Sequence, residues 1–280
     1  MDHQEAIKEY WNIRGQKALK DTEDHWLDEF GNPLSDQLFV QIATYLLSMI
    51  QDNTKSDSKI LEVGCGTGRI LSKINQLTPN MSLYGTDISE IMIEKASRRV
   101  PSAKFIAADI LDSQDNQLNS NQEYDLIYIH SVSQYFPNSH YFDSFLTKLF
   151  TLVSQNGKII LLDVPITWFK NEGTKIIKQE LSLKSALKIL FSNMKTLIRK
   201  KLKIAPKPHQ LGQSIIDFGG EVVSVPNFYG YFVDPDKVVA LCCEHGFESE
   251  VCVQMFTAKP LTYRKYRPNF VISKVVTNGS

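Results

Sequence analysis

Glu62, Gly64, Cys65, Gly66 and Gly68 stand within seven positions, where an apolar run gives way to an amphipathic one. Glycine is required where a ligand lies against backbone, because a Cβ would clash, and where a turn takes positive φ. The residues before the glycines, Ile60 to Val63, read as a buried strand. Ile70, Leu71, Ile74 and Leu77 after them read as one face of a helix. The start of that helix presents unpaired N–H groups and a partial positive charge to the same crevice. A strand, a glycine turn and a helix at the first strand of a doubly wound sheet predict a nucleotide-type binding site. The spacing is G-x-G-x-G, whereas pyrophosphate-binding turns read G-x-G-x-x-G. Glu62 repels a pyrophosphate and suits a ligand that carries an ammonium group. Asp87 closes the next apolar strand about 20 residues further on, where an acidic side chain meets the ribose hydroxyls in this architecture. A carboxylate accepts both hydrogens of a vicinal diol, which few other groups can do. Ile88 and Met92, just after it, are assigned to the same ligand.

Glu62-Val63-Gly64-Cys65-Gly66-Thr67-Gly68 resembles motif I of the class I S-adenosylmethionine-dependent methyltransferases, of the small-molecule type. The resemblance covers residues 58–164 closely and 234–277 more loosely. It implies S-adenosylmethionine as cofactor, with Cys65 a backbone-contact position rather than a reactive thiol. It implies that Asp109, at the end of the strand from Lys104 to Ile110, accepts the adenine amino group while the N–H of Ile110 meets a ring nitrogen. Tyr124 to His130 resembles the family's motif IV, in which an acidic residue opens the strand and its far end, here Ile129, borders the methyl donor. An N-terminal helix lies over the cofactor in many members, which assigns Tyr10 and Arg14 to the methionine carboxylate. The alternative leaves Arg14 as a solvated surface cation. Many members carry a His where this chain has Gln134 or Tyr135. That departure leaves His130 and Tyr135 as the candidate catalytic residues, and Gln134 and Tyr135 as walls for an acceptor. The Asn-Pro-Pro-Tyr signature of amino-methylating enzymes is missing.

The elements that must position these residues follow in order. The expected fold is α/β: a Rossmann-like, seven-stranded, mostly parallel sheet with helices on both faces, an N-terminal helical segment, and a helical lid inserted between strands five and six. Residues 1–57 form the helical cap, with helices over 4–30 and 35–51. Residues 58–164 form the cofactor-binding core, 165–233 the lid, and 234–280 the last helix and strands. Ser89 caps a helix over 90–99, and Asn138 or Ser139 caps another. Asn156-Gly157 is expected to turn that second helix into strand five, Lys158 to Val164. Asp234, Pro235 and Gly246 carry the start and stop signals of the final helix. Strands over Glu250 to Phe256 and Asn269 to Val276 form an antiparallel edge hairpin, and Val222 to Val225 reads as an extra strand.

About 70 residues separate Val164 from Asp234, where the family needs only a short link. Leu183, Leu187, Leu190, Met194 and Leu197 recur at helical spacing within 175–203. From Trp168 to Lys207 ten Lys and one Arg face two Glu, a local net charge of +9 in a chain that is neutral overall. Three readings stand for this stretch: a lid helix with solvated lysines, a binder of an anionic or carrier-linked acceptor, and a peripheral contact with a membrane surface. Trp168, His209, Tyr229 and Tyr231 are its candidate substrate-binding residues.

Zero net charge gives no whole-molecule attraction to nucleic acid, so no DNA partner is expected. No run reaches the ~18 apolar residues of a membrane span, and the polar N-terminus is not read as a secretory signal, so a cytoplasmic location is expected. The cysteines, Cys65, Cys242, Cys243 and Cys252, make no C-x-x-C pair, and no metal site is expected. The activity expected is methyl transfer to a small or medium acceptor, O-methylation first. Two rivals remain open: an RNA methyltransferase that uses the basic insertion, and a non-catalytic partner protein built on the same fold.

Overall fold

The computed structural model describes residues 3–17, 35–50, 58–111, 123–167, 231–252 and 267–275, and the backbone of 213–217 and 222–226. Trp168, His209, Tyr229, residues 18–30 of the expected first helix and the basic stretch 175–203 lie outside the described residues.

The element order is α1 (His3–Lys17), α2 (Asp36–Ser48), β1 (Lys59–Val63), α3 (Arg69–Leu77), β2 (Ser82–Asp87), α4 (Glu90–Arg99), β3 (Lys104–Ala107), β4 (Tyr124–His130), α5 (Ser139–Leu152), β5 (Val153–Leu162), β6 (Gln213–Asp217), β7 (Val222–Pro226), α6 (Pro235–Glu244), β8 (Phe247–Cys252) and β9 (Asn269–Lys274). Seven strands form one sheet in the order β3-β2-β1-β4-β5-β9-β8. The first five are parallel, and β9 and β8 close the edge antiparallel. This is the Rossmann-like, mostly parallel architecture expected from the sequence. β6 and β7 form a separate antiparallel pair. The strand expected at Val222 to Val225 therefore has a partner that its own pattern did not disclose.

Alternation along β1 divides the core. Leu61 and Val63 join the layer under α5 and α6, with Phe142, Phe145, Leu149 and Val238. Ile60 joins the layer under α2 and α3, with Phe39, Ile42, Ile70 and Ile74. Parallel strands covered on both faces must be largely apolar on both faces, and β1 and β4 are, with Glu62, Asp125 and His130 the exceptions. Full burial of each such Leu, Ile or Phe side chain contributes about 1.5–3 kcal/mol. No described helix is long and apolar enough to cross a membrane.

The caps lie where side-chain chemistry puts them. Ser35, Ser89, Asn138 and Asp234 each accept an N–H of the following turn through the side chain, satisfying a donor that has no partner within the helix. One expected turn is absent. Val153 to Leu162 is a single strand, and Asn156-Gly157 lies inside it as an irregularity between the Tyr124–Val153 and Leu126–Lys158 pairs. A Cβ on Gly157 would stand 2.7 Å from the Tyr124 carbonyl oxygen, so the glycine serves close strand approach rather than a turn.

Asp125, the acidic residue that opens β4, has a structural task. One carboxylate oxygen accepts the N–H of Lys59 at 2.9 Å and the other accepts the Ser154 hydroxyl at 3.2 Å, tying together the starts of three strands. Asp125→Ala strands both donors and is expected to lower the unfolding free energy by about 1–3 kcal/mol in urea titrations. Asp143→Ala, which breaks a half-exposed pair with Lys237, is the control and is expected to cost below about 1 kcal/mol.

Candidate active site

The glycine turn is built from backbone. The Thr86 carbonyl accepts both the Gly64 and the Cys65 N–H, at 2.7 and 2.9 Å, and the Cys65 carbonyl accepts the Gly68 N–H at 2.9 Å. Gly64, Gly66 and Gly68 all have positive φ, of 72°, 52° and 69°. A Cβ on Gly64 would stand 2.4 Å from a Val132 methyl, whereas one on Gly66 meets nothing within 4 Å. The two glycines thus serve different ends: Gly64 permits close packing of the chain after β4, and Gly66 leaves open space above the turn. Arg99, in the last turn of α4, anchors the loop by donating to the Thr67 carbonyl and hydroxyl at 2.9 and 2.7 Å. The Cys65 thiol is buried, and burial raises its pKa well above the ordinary value. It stays protonated and is no nucleophile.

Glu62 is 1 % exposed. It lies on the same sheet face as Ile60, beside the Tyr128 hydroxyl and the Leu71 N–H in the first turn of α3. Neither neighbour closes a hydrogen bond with it, and both carboxylate oxygens lack a partner among the described residues. Desolvation raises its pKa well above the usual carboxylate range, with the charge of Asp87 adding to the effect.

Asp87, at the end of β2, accepts the Gly66 N–H on one oxygen at 2.8 Å and the Ser89 N–H on the other at 2.9 Å. One side chain therefore joins the glycine turn to the start of α4. Burial raises its pKa to about 6, against the pull of these two donors. The residue keeps some solvent contact, and each oxygen retains a lone pair for a further donor.

Asp109 follows β3. It accepts the Leu111 N–H at 3.0 Å and holds the Tyr141 hydroxyl of α5 between its two oxygens, at 2.7 and 2.8 Å. Burial and the adjacent carboxylate push the Tyr141 phenol far up, and Gln4 of α1 stands beside it. Tyr141 has a polar role that its place in the apolar stripe of α5 concealed. Ile110 is buried in the core.

α1 lies across this edge. Ile7 and the fully buried Tyr10 pack with Trp11, Ile88 and Tyr135, which brings the ends of β2 and β4 under one helix. Arg14 donates to the Tyr10 hydroxyl at 2.8 Å and stands over the Tyr10 and Trp11 rings. His3 donates a ring N–H to the Tyr135 carbonyl at 2.9 Å, Lys8 pairs with Glu90, and Asn12 accepts the Ser89 hydroxyl at 2.6 Å. These contacts run from the turn after β4 to the start of α4, with the glycine turn between them.

The remaining candidates fall into two groups. Ile129 and Met92 are core side chains, at 0 % and 2 % exposure. His130 is buried at the end of β4, on the face it shares with Tyr128 by strand alternation. Tyr135 is half-buried in a 3-10 turn, Ser133–Tyr135, with its ring edge-on to Trp11 at 5.4 Å. Gln134 in the same turn accepts a hydrogen bond from Arg267. Tyr231 packs on Phe142 at 5.5 Å, where the chain re-enters the core, and burial raises its phenol to about 12.

Arg267, Asp163 and Ser131 carried no recognisable signal in the sequence. Arg267 is 4 % exposed and donates Nε to Asp163 Oδ1 at 2.7 Å and Nη2 to Asp163 Oδ2 at 2.9 Å. Ser131 donates its hydroxyl to the same carboxylate. Ser131 and Asp163 are non-glycine residues with positive φ, 56° and 59°, directly after β4 and β5.

Comparison with known proteins agrees with this geometry. A family model described as a methyltransferase domain matches residues 61–159. Malonyl-[acyl-carrier protein] O-methyltransferase 1 of Ilyobacter polytropus is 31 % identical over 116 residues, which is 40 % of each chain. Trans-aconitate 2-methyltransferase of an Enterobacter species is 32 % identical over 123 residues, 44 % of each chain. The chain thus matches less than half the length of those relatives. Among solved structures, the magnesium protoporphyrin IX methyltransferase of Synechocystis with bound SAH superposes with a TM-score of 0.56, at 14 % identity, over 98 % of this chain and 100 % of that one. With the glycine turn, Asp87 and Asp109 at three neighbouring strand ends, residues 61–159 of this chain match a methyltransferase domain, on the fold of an S-adenosylmethionine-dependent methyltransferase.

Proposed function

We propose that this chain transfers a methyl group from S-adenosylmethionine to the oxygen of a small carboxylic acid, free or carrier-linked. The observation that carries the cofactor half is the row of side chains under α1: the open glycine turn, Asp87 and Asp109, each at a strand end and in chain order. The donor set suits the cofactor. Asp87 would accept the ribose hydroxyls and Asp109 the adenine amino group. Arg14, tied to the hydroxyl of the buried Tyr10, would hold the methionine end, and the glycine turn would admit the ligand where a side chain would fill the space. Bound there, the cofactor supplies a methyl group already activated by its sulfonium. The task left to the protein is to align the acceptor in line with that methyl and to keep water out.

Residue placement on the acceptor side favours a nucleophile that needs no base. His130 is buried at the end of β4, and the Tyr135 ring packs edge-on to Trp11 while its backbone carbonyl accepts from His3. A carboxylate is ionised at neutral pH and needs no proton removed. As the new O–CH3 bond forms, the bonding pair of the old bond leaves with sulfur, and the acceptor becomes a neutral ester. The names of the relatives, an O-methyltransferase of a malonyl carrier protein and a methyltransferase of trans-aconitate, support an acid acceptor.

Calorimetry with S-adenosylhomocysteine (SAH), the product form, tests the cofactor half, and no binding would sink the reading. The ionised Asp87 carboxylate would accept both ribose hydroxyls, and protonation would remove one of those contacts. Because its pKa lies at about 6, affinity is expected to be constant above pH 7 and to weaken as pH falls through 6, by up to about tenfold per unit. Asp87→Asn is expected to bind about 10- to 100-fold more weakly and to lack the step. Tyr141→Phe removes the phenol donor from Asp109, leaving only the Leu111 N–H, and is expected to weaken binding about 2- to 10-fold while the Asp87 step persists. For the acceptor half, incubation with labelled S-adenosylmethionine and a panel of di- and tricarboxylic acids is expected to give a label that mild alkali releases as methanol. An alkali-stable label would refute carboxylate methylation.

A further inference from the structure

The Arg267 cluster joins three strand ends that are remote in sequence. β9 runs antiparallel to β5, so its start lies at the same edge as the ends of β4 and β5. There Arg267 forks onto the carboxylate of Asp163, and its Nη2 also donates to the Asp163 carbonyl oxygen at 2.9 Å. The Asp163 N–H is accepted by Asn269 at 3.1 Å, and the Val164 N–H by the Pro268 carbonyl at 3.1 Å. Ser131 is tied to the cluster twice, by its hydroxyl to Asp163 and by its N–H to the Leu162 carbonyl at 3.1 Å. Non-glycine residues in the left-handed region cost on the order of 1–3 kcal/mol each and persist only where surroundings hold them. Here two occur side by side, and the buried ion pair holds both.

The cluster faces two functional directions. Through Nη2 it reaches Gln134, in the Ser133–Tyr135 turn that packs on Trp11 of α1. Through Asp163 it reaches the root of the insertion. The chain leaves the core at Pro165 and returns at Val233, and the two are stapled by Val233 N–H to Pro165 carbonyl at 2.8 Å and Thr167 N–H to Val233 carbonyl at 2.9 Å. The guanidinium is neutralised by Asp163, so its effect on the acceptor edge is positional rather than one of attracting an anion.

We propose that Arg267 is a positioning residue for the acceptor side. It fixes the Ser133–Tyr135 turn through Gln134 and the root of the insertion through Asp163, so that the two walls are held as one unit. The assignment of this edge to the acceptor rests on the methyltransferase reading; the mechanical link does not.

Amide hydrogen exchange on the full chain tests the link, with Gln134→Leu as the variant that leaves no buried charge unpaired. The Tyr135 and Phe136 N–H groups, bonded to the Val132 and Ser133 carbonyls at 3.0 and 3.2 Å, are expected to exchange at least about tenfold faster than in the wild type. Exchange in the Gly64–Gly68 turn is expected to be unchanged, and SAH affinity to stay within about twofold. Gln134→Glu keeps an acceptor opposite Nη2 and is expected to restore slow exchange, a rescue that loss of packing alone does not predict. Unchanged exchange in Gln134→Leu, or a Gln134→Glu that behaves like it, overturns the link. A tenfold loss of SAH affinity in Gln134→Leu overturns the acceptor-side assignment. Failure of the wild type to bind SAH defeats the methyltransferase reading alone, since the exchange comparison still reads the link.

Discussion

Val63 is held in register with Thr86 of β2 on one side and Ile129 of β4 on the other. Because the three strands run parallel, the chain leaves the sheet at Gly64, Asp87 and His130 on one level of one edge. That register depends on alternation along β1, with Ile60 in one apolar layer and Leu61 and Val63 in the other. A slip of one residue would exchange the layers and drive Glu62 into the packing under α5. It would also remove the Thr86 carbonyl from reach of the Gly64 and Cys65 N–H groups, and with it the start of the glycine turn. The site is therefore a consequence of apolar pairing in the sheet centre.

The same edge gathers four carboxylates, and each is compensated differently. An ionised carboxylate withdrawn from water is costly unless donors or a cation replace the lost hydration. Asp163 has a cation, Arg267. Asp109 has an N–H and a phenol, and Asp87 has two backbone N–H groups. Glu62 has no hydrogen-bond partner among the described residues, and its pKa is raised accordingly. The pattern separates structure from binding. Asp163 is fully neutralised and serves as an anchor, whereas Asp87 and Asp109 are held in place by donors that leave lone pairs available. An edge of this sign favours a ligand that carries positive charge, which fits a cofactor with a sulfonium and an ammonium group and disfavours a pyrophosphate.

What could be read from the sequence was what is local in sequence. The glycine turn, its carboxylate and the strand-end Asp87 and Asp109 are each recognised within a few residues, because a strand, its turn and the next helix are contiguous. The caps at Ser89, Asn138 and Asp234 were legible for the same reason. Asn156-Gly157 misled, because the dipeptide that favours a turn also permits an irregularity where strands crowd. The Tyr141 ring falls in the apolar stripe of α5, and nothing in periodicity reveals where its hydroxyl ends. Ser131, Asp163 and Arg267 were missed for a stronger reason. Residues 131 and 267 are more than a hundred positions apart, and neither left-handed position is a glycine.

This difference in legibility follows from how the two halves are made. The cofactor half uses backbone N–H groups and short side chains on consecutive β–α units, so its geometry is fixed by the units themselves. The edge proposed for the acceptor would be assembled from the turn after β4, the exit after β5, the residue before β9 and the insertion that departs between them. No single unit fixes it, and something must hold those ends together before a pocket can exist. A buried ion pair suits that task better than apolar contact, because its fork fixes angle as well as distance. Its energetic return is small, since desolvation offsets most of the attraction. Its presence beside two left-handed residues is therefore explained by position rather than by stability. Ser131 and Asp163 take left-handed backbone directly after β4 and β5, and the hydrogen bonds of Arg267 to Asp163, and of Ser131 to the same carboxylate, hold that arrangement.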